Sequence, residues 1–290
     1  MRVAVTGSNG LLGSALCASL LADGHRVVKF VRHAPQAIDE RRWNPDAGRI
    51  DAPGLDDVDA VVNLAGAPIG TRWTTDAKAT IRRSRLAGTL TIVAALTPDG
   101  RCQRMLNASA IGYYGDTGPQ IVDEHSAAGT GFLATVTRDW ETSARHCAVP
   151  LALLRTGQVL SPAGGILPKL LPFFRAGAGG RIGNARQFFS WISLNDHVRA
   201  MRFLLESDIT GPVNLTAPNP VTNAEFTHAL GAAVHRLAVV PMPLPAVRLL
   251  FGRDFVAETL LASSRALPAR LLDAGFTFQQ PQVGMALAGL

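Results

Sequence analysis

Short apolar runs and amphipathic runs alternate along the first 160 residues. The apolar runs predict strands, and apolar residues that recur every three or four positions predict helices between them. The predicted strands are 3–6, 26–31, 59–64, 103–109 and 151–155, and the predicted helices are 11–20, 75–96 and 131–147. Because strands that alternate with helices form parallel sheets, we predict an α/β fold with a Rossmann-type doubly wound parallel sheet.

Proline and glycine interrupt this alternation in two parts of the chain. Residues 33–57 hold three prolines and two glycines, which excludes a long helix there, and 42–50 resembles a small hairpin. Glycines crowd 164–183, and four prolines lie between 241 and 268. We therefore expect 1–160 to form the sheet domain, with later strands returning to the sheet near 190–216. We expect 161–290 to form a smaller, mostly helical region that lies on the substrate side and ends in a C-terminal cap.

The first strand runs into a turn with glycines at positions 7, 10 and 13, which opens the first helix. One such glycine permits the tight turn, one lets backbone N–H groups approach a pyrophosphate, and one lets the helix pack on the strand. The N-terminus of the helix attracts anions. An ordinary turn is the alternative for a bare glycine pattern, but the order strand, turn, helix, strand favours a dinucleotide site.

The end of the second strand favours NADP(H) as that dinucleotide. A carboxylate here would bind the ribose hydroxyls of NAD, but the strand ends in Arg32 and His33, with no carboxylate before Asp39. A guanidinium group pairs with a 2′-phosphate and stacks on adenine. We predict that Arg32 discriminates between the cofactors and that His33 helps; the alternative is that Arg32 only extends into solvent. Residues 1–160 are then an NADP-binding domain.

Composition narrows the classes of partner. Hydrophobic residues make up 47% of the chain and charged residues 17%, with a net charge of +6, as in a globular protein with a sizeable core. The basic residues are scattered, so we expect no nucleic-acid partner. Three widely spaced cysteines favour a reducing, cytoplasmic compartment and predict neither disulfides nor a metal site. No apolar run reaches about 18 residues, so we expect no membrane segment.

Several longer motifs carry a family resemblance. They are Asn63-Leu-Ala-Gly66, Ser109-Ala-Ile-Gly-Tyr-Tyr-Gly115, Arg155-Thr-Gly-Gln-Val-Leu160, Gly179-Gly-Arg-Ile-Gly183, Gln187-Phe-Phe-Ser-Trp-Ile192 and the tail 267–278. With them the chain resembles the extended and atypical short-chain dehydrogenase/reductase superfamily, in the nucleoside-diphosphate-sugar epimerase-like branch with a C-terminal domain of unknown function. The resemblance implies a Rossmann fold, bound NADP(H) and a substrate cleft over the nicotinamide.

The predicted cofactor-binding residues lie at the ends of the strands and on the helix after the third strand, where this superfamily holds ribose and phosphates. They are Gly7, Ser8, Asn9, Gly10, Leu11, Leu12, Gly13, Arg32, His33, Leu64, Ala65, Gly66, Ser84, Arg85, Asn107, Arg155, Thr156 and Gly157.

The catalytic tyrosine and lysine of the superfamily are missing. These enzymes carry a tyrosine four residues before a lysine on the helix that here includes 131–141, and this segment contains neither residue type. The only tyrosines, Tyr113 and Tyr114, follow the fourth strand, where open α/β sheets bind ligands. We predict Ser109 and one of these tyrosines as catalytic substitutes. The alternatives are a nicotinamide-binding or strand-capping serine and tyrosines in the core.

The remaining polar residues divide into a candidate substrate wall and three carboxylates. Gln187, Ser190 and Trp191 predict a polar, flat-faced wall for substrate, with packing as the alternative. The carboxylates are expected in ordinary roles: Glu124 and Glu141 solvated or capping, and Asp196 capping a helix over 196–205.

We therefore expect an NADP(H)-binding oxidoreductase or epimerase-like protein. A hydride would move between nicotinamide C4 and an oxygen-bearing carbon of a small substrate, such as a sugar nucleotide or another carbonyl or hydroxyl compound. The alternative is a non-catalytic NADP(H)-dependent sensor that lacks the tyrosine–lysine pair. We expect a monomer or homodimer.

Overall fold

An eight-stranded sheet lies at the centre of the molecule. The structure, a computed structural model, describes residues 1–290. The strands are β1 Arg2–Thr6, β2 Arg26–Val31, β3 Glu40–Asn44, β4 Arg49–Ile50, β5 Ala60–Asn63, β6 Met105–Ala110, β7 Ile121–Val122, β8 Leu151–Thr156, β9 Gln158–Ser161, β10 Gly164–Gly165, β11 Phe188–Phe189, β12 Trp191–Ser193, β13 Gly211–Leu215, β14 Val221–Thr222 and β15 Arg265–Ala266. The helices are α1 Leu11–Ala22, α2 Thr75–Ala95, α3 Phe132–Ala144, α4 Leu167–Arg175, α5 Leu194–Glu206, α6 Asn223–Ala233, α7 Leu244–Phe251, α8 Arg253–Phe255, α9 Ala269–Asp273 and α10 Val283–Leu287, and a π-helical turn, Val256–Leu261, follows α8.

The central sheet has the strand order β13-β8-β6-β5-β1-β2-β3-β4, and only β3 and β4 are antiparallel neighbours. The chain builds outward from β1 to β4, then crosses back to β5 and builds in the other direction. The strand order therefore reverses between β1 and β5, and open α/β sheets bind ligands at the carboxyl ends of the strands beside such a reversal. The predicted fold class is confirmed.

Helices cover both faces of the sheet because successive residues of a strand point to opposite faces. Val3 and Val5 of β1 lie in one buried layer, together with Met201 of α5. Ala4, between them, lies in the other buried layer with Ile92 of α2. The sheet is thus buried on both sides, which leaves its edges and strand ends for ligands.

The hairpin predicted over 42–50 is present and also extends the central sheet. β3 pairs in parallel with β2 and antiparallel with β4, and a 3₁₀ helix, Pro45–Ala47, makes the turn. A buried side chain fixes β3 in place, because Arg41 donates hydrogen bonds of 2.8 Å to both carboxylate oxygens of Asp57. No local pattern in the sequence indicates this contact.

Helix α5 begins earlier than predicted, and its cap is a different residue. Ser193 is the N-cap, and its hydroxyl accepts a hydrogen bond from the Asp196 N–H. The Asp196 carboxylate is buried and accepts hydrogen bonds of 2.9 and 2.8 Å from the backbone of Gln279 and Gln280. The predicted cap at Asp196 is therefore wrong, because this carboxylate binds the C-terminal tail.

The second half of the chain contributes to the sheet and forms the surrounding loops and short helices. β13 extends the central sheet beside β8, whereas β12 pairs with β9 in a separate three-stranded sheet. After residue 241 the helices are short, as the prolines predict. None of the helices combines the length and the apolar character that crossing a membrane requires.

Candidate functional site

The Thr6 hydroxyl connects the ends of β1 and β5, the two strands between which the strand order reverses. Thr6 donates a 2.6 Å hydrogen bond to the Asn63 side chain and accepts hydrogen bonds of 3.0 and 3.1 Å from the backbone of Leu64 and Ala65. A Cβ atom at Gly7 would lie 2.9 Å from the Leu64 carbonyl group. The predicted cofactor residues at the ends of these two strands therefore lie directly beside one another.

The glycine turn leaves backbone donors free at the start of α1, although the Gly10 N–H itself donates a 2.9 Å hydrogen bond to the Gly7 carbonyl oxygen. Gly7 has a φ of +66°, and a Cβ atom on Gly13 would overlap the Gly7 carbonyl oxygen, so neither position accepts a side chain without distortion. Gly10 is the N-cap of α1 and supplies no side-chain hydrogen bond. The N–H groups of Leu11 and Leu12 make no hydrogen bond either. This arrangement of free donors at a helix N-terminus fits a pyrophosphate group.

The other two turn residues differ in exposure. Ser8 is buried and Asn9 is exposed. Leu11 is half-buried and is covered by Gly164 of β10, because a Cβ atom on this glycine would lie 3.1 Å from the Leu11 side chain. The β9–β10 hairpin therefore covers the start of α1 and bounds the space beside the glycine turn.

The end of β2 presents an arginine without a protein partner. Arg32 is exposed and forms no hydrogen bond or ion pair through its side chain. Lys29, earlier on the same strand, forms a 2.8 Å ion pair with Asp39. His33 is also exposed, and its Nδ1 atom lies 2.8 Å from the Ala34 carbonyl oxygen. Arg32 is thus the basic side chain of this strand end that remains available for an anion.

A second arginine lies against the end of β5. A Cβ atom at Gly66 would be 3.5 Å from Cζ of Arg85, so the guanidinium group covers this glycine. Arg85 donates to the carbonyl oxygens of Ala67 and Ile81 and stacks over Trp140, with 5.2 Å between Cζ and the ring centre. No carboxylate pairs with it, and burial lowers its pKa to about 10. An arginine in such surroundings favours an anionic ligand.

Ser84, the neighbour of Arg85, shapes the loop after β5 rather than facing open space. Its hydroxyl accepts a 3.0 Å hydrogen bond from the Ala67 N–H and donates to the Ile81 carbonyl oxygen. The predicted cofactor role of Ser84 is therefore indirect, through the position of the loop that contains Gly66.

Asn107 of β6 belongs to a buried hydrogen-bond network. It is fully buried, and its side-chain oxygen accepts a 2.7 Å hydrogen bond from Asn63. Thr89 joins the same network and accepts a 2.8 Å hydrogen bond from the Trp140 ring. The prediction that Asn107 contacts the cofactor is corrected, because its side chain links β5 and β6 within the core.

A second buried network changes the interpretation of Ser109 and Arg155. The Ser109 hydroxyl donates a 2.6 Å hydrogen bond to Glu141, and Arg155 donates hydrogen bonds of 2.8 and 2.9 Å to the two oxygens of the same carboxylate. Arg155 also donates a 3.0 Å hydrogen bond to the Tyr114 hydroxyl. The predicted cofactor contact by the Arg155 side chain is corrected, because the guanidinium group is buried and committed to protein partners.

Tyr114 belongs to this network and is closed to substrate. The side chain is 1% exposed, and its hydroxyl donates a 2.7 Å hydrogen bond to Asn214. Burial raises its pKa to about 12. The prediction of Tyr114 as a proton donor is corrected, since a buried hydroxyl with both partners satisfied cannot reach a reacting group.

Tyr113 remains as the available tyrosine. It is half-buried, its ring lies 3.5 Å from Cζ of Arg155, and its hydroxyl forms no hydrogen bond with the protein. The ring packs edge-on against Tyr114 with 5.5 Å between ring centres. Arg155 and Tyr114 of the buried network therefore pack against the Tyr113 ring, and the Tyr113 hydroxyl stays unpaired.

The carboxylates of this region are not solvated. Glu141 and Glu124 are both buried, against the prediction. Glu124 accepts a 2.9 Å hydrogen bond from the Asn214 N–H, and burial raises its pKa. Sequence reasoning missed both residues because their partners are distant in the chain. Glu141 lies on the same face of α3 as the buried residues Val136, Thr137 and Trp140. This helical spacing is the one signal that could have indicated its burial.

The face of α3 toward the segment that contains Tyr113 carries Leu133 and Thr137. These residues are four apart on α3 and face Gly112, where a Cβ atom would lie 3.4 Å from Cβ of Leu133. The Thr137 hydroxyl donates a 2.8 Å hydrogen bond to the Leu133 carbonyl oxygen. This face of α3 therefore offers no acid or base toward the segment that contains Tyr113.

The three predicted substrate residues are buried, and two of them, Ser190 and Gln187, bind the C-terminal domain. Trp191 is fully buried and donates a 3.1 Å hydrogen bond to the Asn219 carbonyl oxygen. Ser190 donates a 2.7 Å hydrogen bond to the Ser264 carbonyl oxygen. Gln187, also buried, donates from Nε2 to the Leu260 carbonyl oxygen. The predicted substrate wall is corrected to a packing surface.

The last predicted residues lie at the end of β8. The Thr156 hydroxyl is 3.1 Å from Nε2 of His197, a fully buried histidine of α5. A Cβ atom on Gly157 would lie 2.8 Å from the Ser190 carbonyl oxygen, so this glycine allows β9 to approach β12 closely. Both residues are half-buried at the carboxyl edge of the sheet.

Comparisons with known proteins point to one family. The profile described as NAD dependent epimerase/dehydratase family matches residues 3–215, and the profile of a domain of unknown function, DUF1731, matches residues 242–290. Among curated relatives, the epimerase family protein Mb2239 of Mycobacterium bovis is 49% identical over 290 residues, covering 98% of this chain and 96% of the relative. The human epimerase family protein SDR39U1 is 34% identical over 300 residues, covering 99% and 98%.

Solved structures lead to the same family. The crystal structure of human epimerase family protein SDR39U1 (isoform 2) with NADPH has a TM-score of 0.90 at 33% identity, covering 99% of this chain and 98% of that one. The UDP-N-acetylglucosamine 4-epimerase of Bacillus cereus, at 17% identity and a TM-score of 0.77, shares the fold. The chain belongs to the NAD dependent epimerase/dehydratase family.

Proposed function

We propose that the protein binds NADP(H) and uses it to oxidise or reduce a small carbonyl or hydroxyl compound. One observation carries the proposal: groups that can bind an anion and have no carboxylate partner stand in a row at the carboxyl ends of three adjacent strands. Arg32 lies at the end of β2, the free N–H groups of the glycine turn at the end of β1, and Arg85 at the end of β5. The crystal structure of the human relative contains NADPH, which agrees with this proposal.

Each donor has its own part in holding the cofactor. The turn amides bind the pyrophosphate, Arg32 binds the adenosine 2′-phosphate, and Arg85 holds the nicotinamide half through a phosphate or ribose oxygen. When bound, NADP(H) supplies the hydride at nicotinamide C4. Adjacent strands lie about 4.8 Å apart, so the row is extended enough for a dinucleotide to lie across it.

The proton of the reaction is assigned to Tyr113. Ser109 is 4% exposed and donates its own proton to Glu141, so it has no proton to give to a substrate. Tyr113, four residues further along the chain, is half-buried and has a hydroxyl that forms no hydrogen bond with the protein. Tyr113 therefore gives or takes the proton, and Ser109 contributes through Glu141, whose carboxylate binds Arg155 against the Tyr113 ring.

Binding is tested by titrating the purified protein with NADPH and NADH, following nucleotide fluorescence. In Arg32→Asp the affinity for NADPH falls roughly 10- to 100-fold, as for loss of a charge-assisted contact, while the affinity for NADH changes little. Arg26→Asp, an exposed arginine at the opposite end of β2, is the matched control and keeps wild-type affinity. Equal loss for both nucleotides in Arg32→Asp contradicts the assignment.

A sensor without catalytic activity is the second candidate, and Leu133 and Thr137 on α3 favour it. Incubation of the protein and NADPH with a panel of aldehydes, ketones and nucleotide sugars separates the two candidates. Turnover that Tyr113→Phe abolishes, with NADPH affinity retained, supports the enzyme. Tight NADPH binding without turnover on the whole panel supports the sensor. The compartment, the oligomeric state and the absence of a nucleic-acid partner stay predictions.

A further inference from the structure

A segment of the C-terminal domain crosses the carboxyl edge of the sheet. We call residues 244–262 the strap; they comprise α7, α8 and the π-helical turn. Its middle is bound to the loop that follows β5, where the Trp73 N–H donates a 3.0 Å hydrogen bond to the Phe251 carbonyl oxygen. Arg72 in the same loop donates to the Leu249 carbonyl oxygen. This loop also contains Gly66, against which Arg85 lies.

The other end of the strap caps α3. The Glu258 carboxylate accepts hydrogen bonds of 2.9 and 2.8 Å from the backbone N–H groups of Phe132 and Leu133. The helix has no cap of its own, because its N-cap is Gly131. Gly131 is required for the contact, since a Cβ atom there would lie 3.0 Å from the carboxylate. Glu258 therefore supplies the negative charge that a helix N-terminus favours.

A charged and aromatic contact lies between these two attachments. Asp254 forms a 2.6 Å ion pair with Lys78 in the first turn of α2. Trp73 packs edge-on against Phe132, with 5.0 Å between ring centres, and against Phe255, with 5.4 Å. The strap thus connects the start of α2 with the start of α3, and both helices begin at the carboxyl edge of the sheet.

Little of the strap is buried. No residue of α7 or α8 is buried, and Val256 is the buried residue of the π-helical turn. Leu249 and Leu250 are 73% and 63% exposed. Segments with few buried apolar contacts open at a small fraction of the global unfolding free energy. Polar contacts with the neighbouring elements, among them those of Glu258 and Asp254, therefore decide whether the strap stays closed.

We propose that the strap is a lid over the cofactor cleft and that Glu258 is its latch on α3. Opening breaks the two hydrogen bonds of Glu258, the Asp254–Lys78 ion pair and the hydrogen bonds that Arg72 and Trp73 donate to the strap, and uncovers the loop that contains Gly66. Closing restores the cap of α3 and shields the ligand from water. The control of NADP(H) access by the lid rests on the proposed function. The opening of the lid at Glu258 is independent of that function.

The latch is tested without any ligand, by hydrogen exchange of the full chain. In Glu258→Ala the exchange rates of strap amides rise roughly 5- to 30-fold, as for loss of a helix cap, while those of β1 and β5 stay unchanged. Glu225→Ala is the control, because the Glu225 carboxylate also accepts a backbone hydrogen bond at a helix start, from the Thr222 N–H in the capping box of α6, outside the strap. Lys78→Gln, which breaks the second contact and leaves α3 capped, raises the strap rates as well. Unchanged strap rates in both variants overturn the latch.

Access to the cleft is tested by stopped-flow mixing with NADPH. In Glu258→Ala, the association and dissociation rate constants both rise several-fold, because both steps require opening, and Glu225→Ala behaves as wild type. Wild-type rate constants in Glu258→Ala overturn the lid. If the wild-type protein does not bind NADPH at all, the proposed function fails, and the exchange experiment alone decides whether Glu258 latches the strap.

Discussion

Ser109 donates a 2.6 Å hydrogen bond to Glu141, a residue 32 positions further along the chain. The serine lies near the end of β6, where we predict a catalytic substitute, and the carboxylate comes from α3. Because Arg155 holds the same carboxylate through two hydrogen bonds, the serine proton has a fixed direction. In the folded protein the proton of this hydroxyl is therefore committed to Glu141 and is not free for a substrate.

The buried Glu141–Arg155 ion pair predicts a large loss of folding stability when its carboxylate is removed. In Glu141→Gln the buried guanidinium group keeps its charge and loses its carboxylate, so the free energy of unfolding falls by about 3–5 kcal/mol. Urea denaturation followed by circular dichroism measures it. Asp139→Asn is the control on the same helix: it breaks the more exposed ion pair with Arg82 and costs less than about 1 kcal/mol. Equal losses in the two variants would mean that the buried pair contributes no more than a surface pair.

Arg85 makes a prediction that separates binding from folding. Arg85→Met keeps the stem of the side chain but removes a charge that no carboxylate neutralises, so we expect the free energy of unfolding to stay within about 1 kcal/mol of wild type. The affinity for NADPH falls roughly 10- to 100-fold. Arg83→Met, an exposed position on α2, leaves both quantities unchanged. A large loss of stability with unchanged affinity would assign Arg85 to the structure alone.

Gly13 tests the close packing of α1 on β1. In Gly13→Ala the new methyl group overlaps the Gly7 carbonyl oxygen and would lie 2.8 Å from Cα of Ser8, so the turn must shift. We expect the Tm to fall and NADPH binding to be lost together. Gly284→Ala in α10, where a Cβ atom meets nothing within 4 Å, is the control and keeps or raises the Tm. A Gly13→Ala protein with wild-type affinity would show that the turn does not bind the cofactor.

His197 predicts how stability depends on pH. It is fully buried, and burial lowers its pKa from 6.5 to about 3, so the folded protein holds it neutral. The unfolded chain takes up this proton once the pH is below about 6.5. The contribution of His197 is thus complete above that pH and is lost as the pH falls toward 3, by up to about tenfold in the unfolding constant per pH unit. Urea midpoints between pH 7 and pH 4 measure it, with His197→Gln expected to flatten the slope.

The control for His197 is an exposed histidine. His125→Gln leaves the slope of stability against pH as in the wild type, because its side chain meets solvent in both states. If His197→Gln keeps the full slope, other groups cause the acid sensitivity.

The sequence by itself determined the fold and the kind of ligand that the glycine turn favours. Alternation of strands and helices, the glycines at 7, 10 and 13, and Arg32 at a strand end are local patterns, in which each residue acts on neighbours a few positions away. Strand periodicity and turn conformation depend on such neighbours, so these features can be recognised without the tertiary structure.

Only the tertiary structure decided which polar groups are available. Glu258 caps α3 across 125 and 126 residues, and Tyr114 pairs with Asn214 across 100 residues. Trp191 looks like a ligand-binding surface in the sequence and is fully buried in the fold. A buried polar group must find a partner, and that partner comes from whichever element packs against it. Burial and pairing therefore depend on the packing of distant elements, which residue spacing does not record.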